Sequence, residues 1–324
     1  MRYLGLSGVL SLCLALAIPA GAQAPAEGAG KQGRTPVMVP GATQFDMRSR
    51  VNGRDYRIFM TKPSEAAPPG GYPVLYMLDG NAIFGTAVET ARILRAQGPL
   101  VVVGIGYPIP GAFDQDRRYY DLTPSTAVEY LKPRKGEKTP EPSGTGGQEE
   151  FFRFIQEELK PEVEKQLPID KSRQTLFGHS LGGLFTLHVL FTHPAAFTNY
   201  VAASPSIWWN GRSILKEEGA FTQQIRESSL NTQSLSLVVT VGEFEQRLAP
   251  GTDPDRAAFL NQAKMVESAR EITDRLSTLP ANRLRTVFQE FPGENHGSII
   301  PAAVSRGVRA ALLPKQPATG AQNR

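Results

Sequence analysis

Gly178-His179-Ser180-Leu181-Gly182 stands between a short strand-like run, residues 173–177, and a run from Leu181 to Phe191 that is apolar nearly all round. No other stretch restricts the fold as tightly. A serine at the apex of a sharp strand-to-helix turn is forced towards positive φ, and glycines flank it where side chains would collide with neighbouring strands. A helix that is apolar on every side is tolerated only inside a large domain. The pattern therefore predicts a central strand, a tight turn and a buried helix. It lifts the Ser180 hydroxyl clear of the sheet and turns the unpaired N–H groups of the helix's first turn towards it. A chance match to so short a pattern is the bland alternative; the strand before it and the helix after it favour a nucleophile.

The remaining segments fit around that unit. Residues 43–50 and 54–61 alternate about Asn52-Gly53, a two-residue hairpin signal. Residues 73–78 form a continuous apolar run ending at Asp79-Gly80-Asn81, and another follows at 100–103. The chain then alternates: helix 149–165, strand 173–177, helix 181–192, strand 199–203, helix about 212–226, strand 235–241, helix 257–278, strand 285–290, helix 297–312. Strands separated by helices require crossovers, which gives a mostly parallel central sheet with helices on both faces. With 324 residues, 40% of them apolar and 20% charged, the chain suits one large domain, here 43–313. Residues 131–148, "LKPRKGEKTPEPSGTGGQ", are almost devoid of apolar side chains and are expected to be a long mobile insertion, either the mouth of a site or an idle excursion. Residues 314–324 are expected to be a disordered tail.

The N-terminus sets the compartment. Residues 4–18 are apolar, preceded by Arg2 and followed by small residues to Ala22, the anatomy of a signal peptide spanning 1–22. Ala-, Gly- and Pro-rich residues 23–42 then read as a flexible leader. The single cysteine, Cys13, lies inside the signal, so the mature chain has no thiol, disulfide or zinc-thiolate chemistry. A periplasmic or secreted protein is expected, without stable membrane insertion once the signal is removed. The mature chain keeps 34 basic and 31 acidic side chains, a net charge of +3. They are scattered, with no basic stripe interleaved with aromatics, so nucleic acid is not an expected partner. A small-molecule ester is, and the chemistry calls for no cofactor and no metal.

An active serine needs a base, and the sequence has four histidines. His179 sits within the turn and is expected to point away from the Ser180 hydroxyl. His188 falls in the buried helix and His193 at its end, where capping is the simpler role. His296 stands in Phe291-Pro292-Gly293-Glu294-Asn295-His296-Gly297, between the last strand and the last helix, and follows the acids in the chain order serine, acid, histidine. The acid should follow the strand ending at Gly242. Glu245, three positions on, is preferred over Glu243, and a serine–histidine dyad without an acid stays open. Two N–H donors for an oxyanion are expected from Leu181 and from the backbone of Asn81. Asp79 also has a plain reading as a turn former.

These residues resemble a known family. "YPVLYMLDGNAIF", "GHSLGGLFTLHVLFTHPAAFTNYVAASPSIWWN" and "VGEFEQ…ENHGS" are similar to the periplasmic trilactone-siderophore esterases of the enterochelin and salmochelin type, in the esterase branch of the α/β-hydrolases, with the likeness running from about residue 43 to 313. The resemblance implies an α/β-hydrolase fold and hydrolysis of cyclic catecholate esters through serine and histidine; some members lack a well-placed acid. The same branch holds mycolyl- and acyl-ester hydrolases, so a general periplasmic carboxylesterase is the alternative substrate reading. A catalytically idle binding protein is the alternative of another class. Trp208, Trp209, Tyr107, Phe84 and the segment Asp116-Arg117-Arg118-Tyr119 all follow strand ends. Arg117, Arg118 and Trp209 are therefore the expected contacts for polyanionic catechol rings, unless the arginines pair with nearby aspartates on a wet surface.

Overall fold

The structure, a computed structural model, describes residues 37–131, 138–227, 234–249 and 251–313. The expected signal peptide, residues 23–36 of the leader, residues 132–137 of the 131–148 insertion and the C-terminal tail lie outside the described residues. An eight-stranded sheet runs through the unit that starts at Val39, in the order β1-β2-β4-β3-β5-β6-β7-β8. The strands are β1 (Ala42–Arg48), β2 (Asp55–Thr61), β3 (Tyr72–Leu78), β4 (Val101–Gly106), β5 (Ile169–His179), β6 (Asn199–Ala203), β7 (Leu235–Gly242) and β8 (Leu284–Phe291). β1 and β2 pair antiparallel, β2 pairs antiparallel with β4, and every other pairing is parallel.

Helices cover both faces, as parallel pairing demands. α1 (Gly80–Ile93) and α10 (Ile300–Leu312) pack on one side with Leu75, Met77, Val102 and Val201. The other side takes α2 (Gln115–Leu122), α3 (Gln148–Arg153), α4 (Lys160–Gln166), α5 (Leu181–Thr192), α7 (Ile214–Arg226) and α9 (Met265–Ser277), over Val74, Tyr76, Leu176 and Val239. α6 (Trp209–Arg212) is a short kinked turn, and α8 (Pro254–Ala263) is largely exposed. All seven residues of β3 are buried, which is why that stretch reads as a continuous apolar run. α5 is buried along all but its last residue, as its uniform apolarity predicts.

Several local details depart from the sequence reading. The β1–β2 connection is six residues, 49–54, rather than a two-residue turn. The buried carboxylate of Glu158 reaches across to accept from the N–H groups of Arg50 and Val51, and from the Ser49 hydroxyl, holding the wider loop. Glu158 itself projects from a π-helical stretch, Phe154–Leu159, that joins α3 to α4. The helix expected at 257–278 breaks at Lys264, whose left-handed backbone (φ 47°) separates α8 from α9. α1 and α2 have no counterpart in the pattern reading. α1 has scattered glycine and threonine in its first turns, and α2 is only eight residues long.

The chain crosses from β3 to β4 on one side, then returns past β3 to β5. The crevice beyond the carboxyl ends of β3 and β5 is thus the switch point where such sheets place their sites.

Candidate active site

Ser180 lies between the end of β5 and the start of α5, which it caps, with φ 61° and ψ −118°, a backbone conformation that side-chain-bearing residues rarely adopt. Its N–H donates to the Ala203 carbonyl on β6, and its own carbonyl accepts from Ser206 and Leu184, so the turn is pinned from three directions. Close approach demands glycine at two places. A Cβ at Gly178 would lie 2.1 Å from the Gly182 carbonyl oxygen, and one at Gly183 would lie 2.7 Å from the Ala203 oxygen. At Gly182 the nearest atom would be 3.4 Å away, an ordinary contact, so the second crowded position is Gly183 and not the glycine of the five-residue pattern.

The imidazole of His296 bridges the serine and a carboxylate. Its Nε2 is 2.9 Å from Ser180 Oγ and its Nδ1 is 2.5 Å from Glu245 Oε2. Glu245 is fully buried, and its other oxygen accepts from the Ser204 hydroxyl at 2.6 Å and the Gly242 N–H at 2.7 Å. Three donors therefore satisfy a carboxylate that would otherwise be costly to bury. Glu243 points elsewhere. It pairs with Arg247 and accepts from the Gly293 N–H at 2.9 Å, bracing the backbone that carries His296 rather than the ring. That loop is fixed further where Phe244 N–H donates to the Glu294 carbonyl and where Asn295 Oδ1 accepts from Gly297 and Ser298.

His179 is buried beside His296, with ring centroids 4.6 Å apart. Burial above all, and then the neighbouring His296 and Arg118 charges, hold its pKa well below the usual histidine range, so a second cation does not form behind the first. His188 and His193 sit apart, with Glu149 between them and Glu217 on the far side of His188.

The N-termini of α5 and α1 both open on this crevice. Leu181 is the first residue of α5 and Asn81 the second of α1, positions whose N–H groups have no acceptor within their own helix. The Asn81 side chain is occupied: it donates to the Tyr107 carbonyl at 2.9 Å and accepts from the Tyr107 N–H at 2.8 Å, tying α1 to the loop after β4. Asp79 is more than a turn former. It adopts the left-handed conformation (φ 56°), and its buried carboxylate takes Arg118 Nε at 2.7 Å and Nη2 at 3.1 Å.

The expected ring contacts are placed differently. Arg118 is 5% exposed and committed to Asp79 and Gln115, so it faces no open site. Arg117 donates to Asp121 and to the Asp55 carbonyl, with its guanidinium over the rings of Tyr56 and Tyr107. These pairs are not on a wet surface: Asp121 and Asp79 are buried, and short α2 has turned the arginines inward. Trp209 is buried, stacked on Tyr119 and donating to the Thr126 hydroxyl at 2.9 Å. Tyr107 and Phe84 belong to the core. Trp208 alone of the named aromatics stays partly exposed.

Pattern reading passed over Ser204 and Ser206. Ser204 has φ 44° and anchors the acid, while Ser206 Oγ lies 3.4 Å from Ser180 Oγ. The signal available was the position of Ser204-Pro205-Ser206 directly after β6, facing the turn. Among the described residues no group of histidines, cysteines and acids is arranged to hold a metal ion.

The family model described as "Putative esterase" matches residues 49–290. The chain is 43% identical over 286 residues to the ferri-bacillibactin esterase of Bacillus subtilis (strain 168), covering 86% of this chain and 92% of that protein. It is 38% identical over 290 residues to the siderophore enterobactin esterase of Emericella nidulans, covering 83% and 94%. Among solved structures, the BES protein of Bacillus cereus superposes with a TM-score of 0.73 at 40% identity, over 86% of this chain and 98% of that one.

Proposed function

This chain belongs to the esterase family and is a serine ester hydrolase of α/β-hydrolase fold, and from that premise we propose that it is a secreted or periplasmic enzyme that opens the ester bonds of catecholate trilactone siderophores through an acyl-enzyme on Ser180. The observation that carries the reading is the relay Ser180–His296–Glu245, with contacts of 2.9 and 2.5 Å at the switch point of the sheet. Relatives named for bacillibactin and enterobactin support the substrate class.

Ser180 Oγ attacks the ester carbonyl as His296 Nε2 takes its proton. The oxyanion that forms meets the N–H groups of Leu181 and Asn81, each backed by the positive end of its helix. Glu245 holds the Nδ1 proton in place and stabilises the imidazolium, and the neutral neighbour His179 adds no opposing charge. His296 then returns the proton to the departing alkoxide, and a water activated by the same nitrogen hydrolyses the acyl-enzyme. No step calls for a metal or cofactor. The substrate is a small molecule; no described helix is long and apolar enough to cross a membrane.

Chromatography of products tests the reading. Wild-type protein should convert a cyclic trilactone to linear trimers and smaller fragments faster than it cleaves p-nitrophenyl butyrate, and Ser180→Ala and His296→Ala should abolish both reactions while remaining folded. Near-native turnover in either variant would refute the mechanism, and a wild type indifferent to the trilactone would leave a general carboxylesterase.

A further inference from the structure

The tripeptide Ser204-Pro205-Ser206, directly after β6, touches both ends of the relay. Ser204 gives its hydroxyl to Glu245 at 2.6 Å, while Ser206 Oγ lies 3.4 Å from Ser180 Oγ. The backbone of Ser206 is held on both sides: its N–H donates to the Ser180 carbonyl at 3.1 Å, and its own carbonyl accepts from the Trp209 N–H at 3.0 Å. Pro205 is pressed against α5, where a Cβ at Gly183 would come within 2.9 Å of the Pro205 Cα. Only the hydroxyl of Ser206 is left to turn. It belongs to a residue 2% exposed, and Ser180 Oγ is its one hydrogen-bond partner among the described residues. Buried hydroxyls are normally satisfied at short distance, as that of Ser204 is; a buried hydroxyl with a single long bond, aimed at a nucleophile, calls for a reason.

We propose that Ser206 is a further catalytic residue, whose hydroxyl donates to Ser180 Oγ and stabilises the negative charge that gathers there as His296 takes the proton; the proposal rests on the serine-esterase reading above and not on the choice of substrate. Proton counting sets the direction of the bond. Ser180 must give its single hydroxyl proton to His296 Nε2 at 2.9 Å, so between the two serines only Ser206 has a proton to offer. One lone pair of Ser180 Oγ then receives the Ser206 proton, which fixes the rotamer, and the other is left to attack the ester carbonyl. At 3.4 Å the bond is weak in the resting enzyme. Catalytic hydrogen bonds tighten as reaction proceeds, and a donor to an oxygen gaining charge is about twice as strong as one to a neutral hydroxyl. The contribution is therefore largest in the transition state, which is what raises turnover. It recurs in deacylation. As the second tetrahedral intermediate collapses, the bond between the acyl carbon and Ser180 Oγ breaks, its electron pair returns to Oγ, and His296 supplies the proton while Ser206 again donates to the passing charge.

Ser206→Ala should remain folded, as its melting temperature checks, and should lower kcat/KM for p-nitrophenyl butyrate about tenfold or more, the fold-change expected of one hydrogen bond to a charged oxygen. The rate of Ser180 phosphonylation by a fluorophosphonate, which needs the attack alone, should fall by a similar factor. The pH at half-maximal kcat/KM should not move, because the contact of His296 with Glu245 is untouched; a substitution that merely disturbed the relay would shift it. Ser206→Thr and Ser206→Val share one shape and differ in the hydroxyl, so the Thr variant should outpace the Val variant about fivefold or more. A wild-type phosphonylation rate in Ser206→Ala, a shifted pH midpoint, or equal rates for the Thr and Val variants overturns the assignment. The esterase reading is tested separately: labelling that survives Ser180→Ala overturns both, whereas labelling lost in Ser180→Ala but unchanged in Ser206→Ala overturns the role of Ser206 alone.

Discussion

Two glutamates of the same chemistry, two positions apart, end in opposite surroundings. Glu245 is sealed beneath His296 with three donors, while Glu243 meets Arg247 and the Gly293 N–H. Replacing Glu245 by Gln should lower kcat/KM by about 10⁴-fold, as loss of the carboxylate behind a catalytic imidazole does, whereas Glu243→Gln should cost less than about tenfold. Equal and small losses in steady-state assays would point to a dyad. Ser204→Gly sharpens the test, because φ 44° suits glycine and the hydroxymethyl group is removed without backbone strain. It should slow turnover in the wild type and change nothing further in a Glu245→Gln background. The glycines of the turn make a second prediction. Gly183→Ala forces a Cβ to 2.7 Å from the Ala203 oxygen and should cost about 1–3 kcal/mol, while Gly182→Ala, with its nearest contact at 3.4 Å, should stay within about 1 kcal/mol. Melting temperatures of the two variants decide it.

Between elements, the Asp79–Arg118 pair joins α2 to the turn at the end of β3 from which α1 starts. A Cβ at Gly182 would sit 3.6 Å from Asp79 Oδ2, so this pair lies directly against the start of α5 as well. Removing one partner strands the other charge in the interior. Arg118→Met should therefore destabilise the fold by about 3–5 kcal/mol, and the double variant Asp79→Asn/Arg118→Met should recover part of that loss. Its kinetic signature is equally specific: catalysis should fall alike for alkyl and aromatic esters, because the pair positions the turn that offers the Asn81 N–H. A selective loss on aromatic esters, measured as the ratio of kcat/KM values, would instead return Arg118 to substrate binding.

At the scale of the whole molecule, α5 is locked to α3 and α7 through His188. Its Nδ1 is 2.8 Å from Glu217 and 3.1 Å from the Gln148 amide, and Nε2 makes an ion-pair contact with Glu149 at 2.9 Å, off the line of a good hydrogen bond. Burial alone would lower the His188 pKa, but the two carboxylates overcome it and raise it to about 9; contact with His188, first among several causes, holds Glu149 down to about 2. A raised histidine stabilises fully below its ordinary pKa near 6.5 and loses that contribution as pH climbs through about 9. A depressed glutamate contributes above about 4.5 and loses it as pH falls through about 2. The cluster thus supports the fold best between those limits, and its alkaline loss should be on the order of 3 kcal/mol. Urea unfolding from pH 6.5 to 9.5 should show the decline in wild type and a flatter profile in His188→Gln; parallel profiles would dismiss the cluster as the cause.

Periodicity and local chemistry carried much of this protein. The turn at Ser180, the wholly buried α5 and the uninterrupted apolar run of β3 are each imposed by residues next to one another, so they are legible without a fold. His296 was legible as a candidate from its place after the last strand, whereas strand-end position left Glu245 and Glu243 both open, with Glu245 preferred by its spacing from Gly242. What tertiary structure decided was which side chains meet across long separations. Glu158 widening a hairpin 109 residues away, Ser204 reaching the acid 41 residues on, and Arg118 closing on Asp79 across 39 residues leave no periodic trace. Burial chose among them: in an interior that cannot leave charge or hydrogen-bonding groups unpaired, the arginines that looked free to meet a substrate were drawn to buried aspartates. Only packing could reveal that Trp209, which looked available to a substrate, is buried against Tyr119 and the Thr126 hydroxyl.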